Sequence, residues 1–349
     1  MPAPVLRAAV AIACLAAVAA PADSALAWGA TGHRLIGELG EAALPADLPA
    51  FLRTPQAVET VGEYAREPDR SKGAGREHDT DRDPGHFVDL DDAGKILGGP
   101  SLADLPPTRS DYESALRAVD CASYHLAVCD SYHAGYLPYS IIEGWQQLVK
   151  DFAYVRVLQA AIPREPNLER KAWMQRDLDR REALTLRDLG EWAHFVGDGS
   201  QPMHVTVHYN GWGPFPNPNG YTQDKIHGPF EGAFVRTNVT IEAVRAAMTP
   251  PAPCAETIEV CTGRYLAATN ATVGPVYALW QAGGFTGADP VKGKAFAAER
   301  LAAGADELRD LVVAAWTASA DASVGYPPIT VQQVVKDGID PYDALYGED

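Results

Sequence analysis

The stretch from Ala183 to His204, ALTLRDLGEWAHFVGDGSQPMH, decides how this chain is read. Up to Asp198 it carries helical periodicity, with Leu186, Leu189, Ala193 and Val196 on one stripe. His194 and Asp198 are four residues apart, so they share a helix face and set an imidazole beside a carboxylate. Gly199 and Pro202 then end or kink the helix, since proline removes a backbone donor and crowds the preceding turn. Such a break can turn His204 back toward the pair. The stretch therefore predicts a helix whose last turn presents metal ligands, with another ligand beyond the turn. The plainer alternative is a surface His–Asp pair beside an unrelated histidine.

Working outward, helical periodicity recurs at 30–43, about 110–128, 139–161, 168–181, 182–198, 230–247, 262–281 and 290–319. The last of these carries Phe296, Leu301, Leu308, Leu311, Val312 and Trp316 as an apolar stripe. Strand-like alternation is scarce and no internal repeat is visible. The fold class this predicts is all-α, a single helical domain with long loops. Two loops stand out, 66–109 and 205–229, both rich in turn formers and both containing histidine. Loops of that length in a compact domain tend to carry function.

The chain has 349 residues, 46% hydrophobic and 21% charged, which is ample for a sizeable core. Its formal net charge is -17. A surface of that sign repels a polyanion at long range, which counts against a duplex-DNA binder working through phosphate contacts. It does not exclude an enzyme whose positive charge comes from bound ions. Residues 1–27 read as a secretory signal peptide. Arg7 supplies the basic start, AAVAIACLAAVAA the apolar run, and Ala25-Leu26-Ala27 the cleavage site. The apolar run is too short for a permanent anchor. The domain then spans 28–349, and the location expected is periplasmic or secreted. Cys14 lies in the signal. Cys121, Cys129, Cys254 and Cys261 remain, an even count that suggests two disulfides in an exported chain. Three pairings are possible. The expected one is local, Cys121 with Cys129 and Cys254 with Cys261.

Three further elements carry candidate ligands. IHGPFEGAF sets His227 and Glu231 four apart as the chain re-enters a helix. GHFVDLDD offers His86 and Asp89, with Asp91 and Asp92 read as a solvated acidic turn, and Asp69 is a lone carboxylate in a loop. Cleavage after Ala27 would leave a free α-amine on Trp28, a group with a pKa near 8 from which a metal can displace the proton. His33 follows five residues on, in the first helix. Together these form the mixed nitrogen and oxygen donor set that zinc takes. His78, His125, His133 and His208 lack such a partner pattern.

In combination these motifs resemble the zinc-dependent single-strand nucleases of the mung bean nuclease type, known from fungi, plants and bacteria, which share their fold with the bacterial zinc phospholipases C. The motifs are an N-terminal Trp followed by His33, then HFVD, then HFVGDxxQPxH, then HxxxE. The resemblance spans Trp28 to at least Glu231 and implies three zinc ions. One would be held by Asp69, His86, His194 and a bridging Asp198. A second would take the amine and carbonyl of Trp28, His33 and the other side of Asp198. The third would sit on His204, His227 and Glu231. Paired ions of this kind activate water for attack on phosphorus.

The resemblance also implies roles for three other residues. Asp89 would orient or deprotonate the attacking water. Lys72 stands where the nucleases usually have Arg and would stabilise charge on phosphorus. Phe87 would stack on a base. The activity implied is hydrolysis of single-stranded DNA or RNA to 5′-phosphorylated products, with 3′-nucleotidase activity as its companion. No stable protein partner and no membrane anchor are implied. Glu231 is the residue that the phospholipases carry where the nucleases typically have Asp, so phospholipase C action on choline phospholipids is the second activity allowed. A non-catalytic zinc protein is a third reading. Structural zinc sites are closed by four protein ligands, whereas His204, His227 and Glu231 leave a position open.

Overall fold

A computed structural model describes residues 28–71, 82–286 and 290–347, and among them the chain is mostly helical. Residues 1–27, read from the sequence as a signal peptide, and Lys72 and His78 lie outside the described residues. The helices are α1 (Ala30–Ala42), α2 (Pro55–Tyr64), the short α3 (Glu67–Arg70), α4 (Arg109–Arg117), α5 (Ser131–Ala134), α6 (Leu137–Ala161), α7 (Leu168–Asp198), α8 (Val235–Asn238), α9 (Ile241–Ala247), α10 (Ile258–Asn270), α11 (Val273–Gln281) and α12 (Val291–Ala318). A two-residue hairpin, β1 (Ser323–Val324) with β2 (Ile329–Thr330), then leads into α13 (Val331–Val335) and α14 (Tyr342–Tyr346).

Helix α7 is the axis of the molecule. The sequence suggests two segments there, and the structure makes them one helix of 31 residues, because no breaker lies between them. Asn167 caps its start by accepting the N–H groups of Glu169 and Arg170. Helices α6, α2, α1 and α12 all pack against it. The α6–α7 contact is close at Gly144, where a Cβ would lie 2.0 Å from Trp192 Cδ1. That leaves room for the Trp192 indole, which donates to the Ile141 carbonyl at 2.9 Å. Trp28, Ile36, Val61, Phe152, Val196, Leu301 and Leu308 belong to the core gathered around this axis.

Several expected helices are shorter than the periodicity implies. The 230–247 segment breaks after Asn238, where Thr240 begins a new helix by accepting the Ala243 N–H. The 262–281 segment starts earlier, at Ile258, and breaks between Asn270 and Val273. Pro275 explains the break, since it has no N–H for the carbonyl four residues back. The 110–128 segment ends at Arg117, and Asp120 caps a separate 3-10 turn over Cys121–Tyr124. Helix α2 was not anticipated, although Thr54-Pro55 is a start signal and Thr54 does cap Ala57. The disulfides pair Cys121 with Cys129 and Cys254 with Cys261, as expected.

The segment after residue 320 forms a second small core on α6 and α7. Val324, Ile329, Val331 and Val334 pack with Val155, Leu158, Met174 and Leu178. Arg164 donates to the carbonyls of Val334 and Val335, and Arg170 pairs with Asp340. Among the described residues, no helix is long and apolar enough to cross a membrane.

Candidate metal centre

The last turn of α7 presents His194 and Asp198, both fully buried. The helix then tightens and reverses. Ser200 N–H bonds back to Gly197 O at 2.9 Å, Gln201 N–H to Asp198 O at 3.0 Å and His204 N–H to Gln201 O at 3.0 Å. This reversal carries His204 to the end of a short 3-10 turn, Pro202–His204. A short ladder then brings in the HFVD segment. Val88 N–H donates to His204 O at 2.8 Å and Val207 N–H to Leu90 O at 2.9 Å. From the other side, the buried Trp28 indole donates to Ser200 Oγ at 2.8 Å. That bond fixes the start of α1, and His33 with it. A Cβ on Gly197 would lie 3.2 Å from His33 Nδ1, so glycine lets the imidazole lie against α7.

Three groups of side chains result, each with its ligand atoms within 4.8 Å of one another: His33, Asp69 and His194; His86, His194 and Asp198; His204, His227 and Glu231. The His33 and His194 rings stack at 3.8 Å. Asp198 faces several partners at once. Oδ1 lies 3.5 Å from His33 Nε2, and Oδ2 lies 3.0 Å from His86 Nδ1 and 3.4 Å from His194 Nε2. His204 Nδ1 lies 3.9 Å from Asp198 Oδ1, so the third group adjoins the others. Asp69 Oδ1 is 3.9 Å from His194 Nε2. All the side chains expected as ligands are brought together in this way. Asp69 groups with His33 as well as with His194, a combination the motif reading divided between two ions. The Trp28 carbonyl accepts the His33 N–H at 3.3 Å.

Two imidazoles have their tautomer set by backbone. His194 Nδ1 lies 2.8 Å from Ala65 O, and His204 Nδ1 lies 2.6 Å from His86 O. A carbonyl only accepts, so each Nδ1 donates and each Nε2 keeps a lone pair for the cluster. This is the supporting arrangement metal-binding histidines use. Glu231 sits on a π-helical turn, Pro229–Phe234, a form that recurs at functional sites. Burial would raise its carboxyl, but the His227 and His204 rings, when protonated, outweigh that and hold it below the ordinary carboxylate range.

The donor set fits metal. His204 Nε2 and Glu231 Oε1 are buried and make no hydrogen bond. A buried polar atom left so costs about 1–3 kcal/mol, and an ion between them would supply the missing partner. The three groups are therefore able to hold a multi-metal site of nitrogen and oxygen donors.

Other residues surround this centre. Burial pushes the Asp89 carboxyl well above the ordinary range, and its backbone is tied to Ala134 and Leu97. Phe87 is half-buried and packs against Gly135, so part of its ring is committed to structure. Tyr209, in the loop between His204 and His227, has its hydroxyl pushed up by burial and then by the neighbouring Asp89, and the motifs do not single it out. Trp212, Phe215 and Tyr221 pack the loop. Trp212 stacks on His208 at 3.6 Å and lies 4.6 Å from Tyr221, and Phe215 meets His208 edge-on. His208, which lacks a ligand-type partner pattern in the sequence, donates through Nε2 to Asp92 Oδ1 at 2.9 Å, while Asp91 accepts from the Ala93 and Lys95 N–H groups and from Tyr124. Asp92 is thus a tether for this loop as well as part of an acidic turn.

No protein-family model matches the chain, and neither a curated protein nor a solved structure was found to match it.

Proposed function

We propose that this chain is an exported, zinc-dependent phosphodiesterase of the phospholipase C/nuclease fold that hydrolyses single-stranded DNA or RNA to 5′-phosphorylated products. The observation that carries the reading is Asp198, a fully buried carboxylate within 3.5 Å of three different imidazoles and adjoining a separate His204–His227–Glu231 group. One carboxylate shared in this way is what two adjacent ions need. Zinc ions held there would supply an activated water and neutralise charge on the phosphate. His33, Asp69, His86, His194 and Asp198 hold the paired ions in this reading, with the Trp28 amine and carbonyl as further ligands. His204, His227 and Glu231 hold the third. Asp89 orients the attacking water and, in its ionised form, takes its proton. The water oxygen bonds to phosphorus as the bond to the 3′-oxygen breaks, and the departing 3′-oxygen takes up a proton from solvent, leaving a 3′-hydroxyl and a 5′-phosphate. Phe87 and Lys72 keep the base-stacking and charge-stabilising roles that the motifs suggest.

The deciding experiment is hydrolysis of single-stranded DNA by the mature protein, with and without a zinc chelator. Release of 5′-nucleotides that the chelator abolishes supports the reading. A protein that holds its zinc, leaves DNA intact and releases phosphocholine from phosphatidylcholine would replace it with the phospholipase alternative.

A further inference from the structure

Gln201 is fully buried and stands midway between two ligand residues, three after Asp198 and three before His204. Its backbone is committed in both directions, donating to Asp198 O and accepting from His204 N–H, each at 3.0 Å. Its side chain is committed at both ends as well. Oε1 accepts the Met203 N–H at 2.7 Å, which settles which end of the amide is oxygen. Nε2 therefore points the other way and donates to Glu231 Oε2 at 2.8 Å. The carboxylate is gripped on Oε2, while Oε1 makes no hydrogen bond.

The bland account is that Gln201 caps the Pro202–His204 turn. That explains Oε1 alone. Shorter side chains such as Asn, Asp or Ser cap turns at least as well. Only the extra methylene of glutamine lets the other end of the amide reach Glu231 on the π-helical turn. We propose that Gln201 is a positioning residue for the third metal, orienting Glu231 and tying that group to the Asp198 turn. The proposal rests on the metal reading above. Partners of this kind are worth about 10–100-fold in metal affinity.

The test is zinc stoichiometry and affinity of the holoprotein, read by elemental analysis and by competition with a chromophoric chelator. Wild type is compared with Gln201→Asn, which keeps the cap and loses the reach, and with Gln201→Met, which keeps the length and loses both bonds. Circular dichroism monitors folding. Both variants are expected to hold the paired ions as wild type does and to bind the third about 10–100-fold more weakly. A Gln201→Asn protein that binds the third ion at wild-type affinity overturns the proposal, since the cap alone then suffices. So does equal weakening of all three ions, and so does loss of the folded spectrum in both variants, because either makes Gln201 a general structural residue. A wild type that binds fewer than three ions defeats the metal reading itself, and the Gln201 assignment falls with it.

Discussion

Asp151 sits in the α6–α7 contact, 2% exposed, with Oδ1 accepting from Gln147 Nε2 at 2.9 Å and Oδ2 making no conventional hydrogen bond. Burial, then the Asp188 carboxylate across the helix pair, push its carboxyl up to about 7, despite Gln147 and Arg181 pulling the other way. The native state therefore keeps a proton on Asp151 that the unfolded chain gives up near pH 4. Between those values the folded form binds more protons, so stability falls as pH rises through that window and the penalty is fully present above it. At about 1.4 kcal/mol per pH unit, the native state loses roughly 4 kcal/mol by pH 8. Asp151→Asn should remove this cost. The amide oxygen still accepts from Gln147, and the amide nitrogen takes the place of the proton facing Asp188. Urea unfolding of both proteins at fixed zinc, from pH 4 to pH 8, measures the difference directly. The variant is expected to match wild type at pH 4 and to exceed it by roughly 4 kcal/mol at pH 8. A gap that stays constant with pH, or no gain at pH 8, would refute the assignment of the proton to Asp151.

Three other perturbations test different parts of the structure. Glu41 is buried with neither carboxyl oxygen hydrogen-bonded, and burial holds its pKa well up. Glu41→Met should stabilise the protein at neutral pH by about 1–3 kcal/mol, seen as a higher urea midpoint whose advantage shrinks toward pH 4. Gly144→Ala should destabilise by about 1–3 kcal/mol despite the better helix propensity of alanine, because its methyl would meet the Trp192 ring; a melting temperature at or above wild type would contradict that packing. Asp198→Asn should cost both ions of the paired site while sparing the one on His204, His227 and Glu231, and a full metal complement in that variant would refute the shared carboxylate.

The candidate ligand residues were legible because their signals are local. His194 with Asp198 and His227 with Glu231 each lie four apart, and Gly199 and Pro202 mark the turn. What brings these pieces together was not legible. Val88 and His204 meet through backbone bonds between segments more than a hundred residues apart, and such bonds leave no trace in either segment. Pro275 did signal a break, but apolar periodicity on both sides of it hid the signal. Val324, Ile329, Val331 and Val334 lie in elements too short to show a period, so the second core was invisible. Gln201 was readable only as part of a motif, because the length that suits it to Glu231 matters only once the π-helical turn is in place.

His86 serves two groups at once. Its imidazole faces Asp198 and His194, while its main-chain carbonyl holds the ring of His204. Trp28 and Ser200 likewise join residues 172 positions apart. The full set of groups comes together only in the folded chain, so an ion held here would bind the folded form in preference to the unfolded one. Each ion present at a hundred times its dissociation constant then adds about 2.7 kcal/mol to folding. If the proposed ions bind, the stability of this protein would in that sense be a property of its surroundings: metal in the medium would itself help to hold the chain shut.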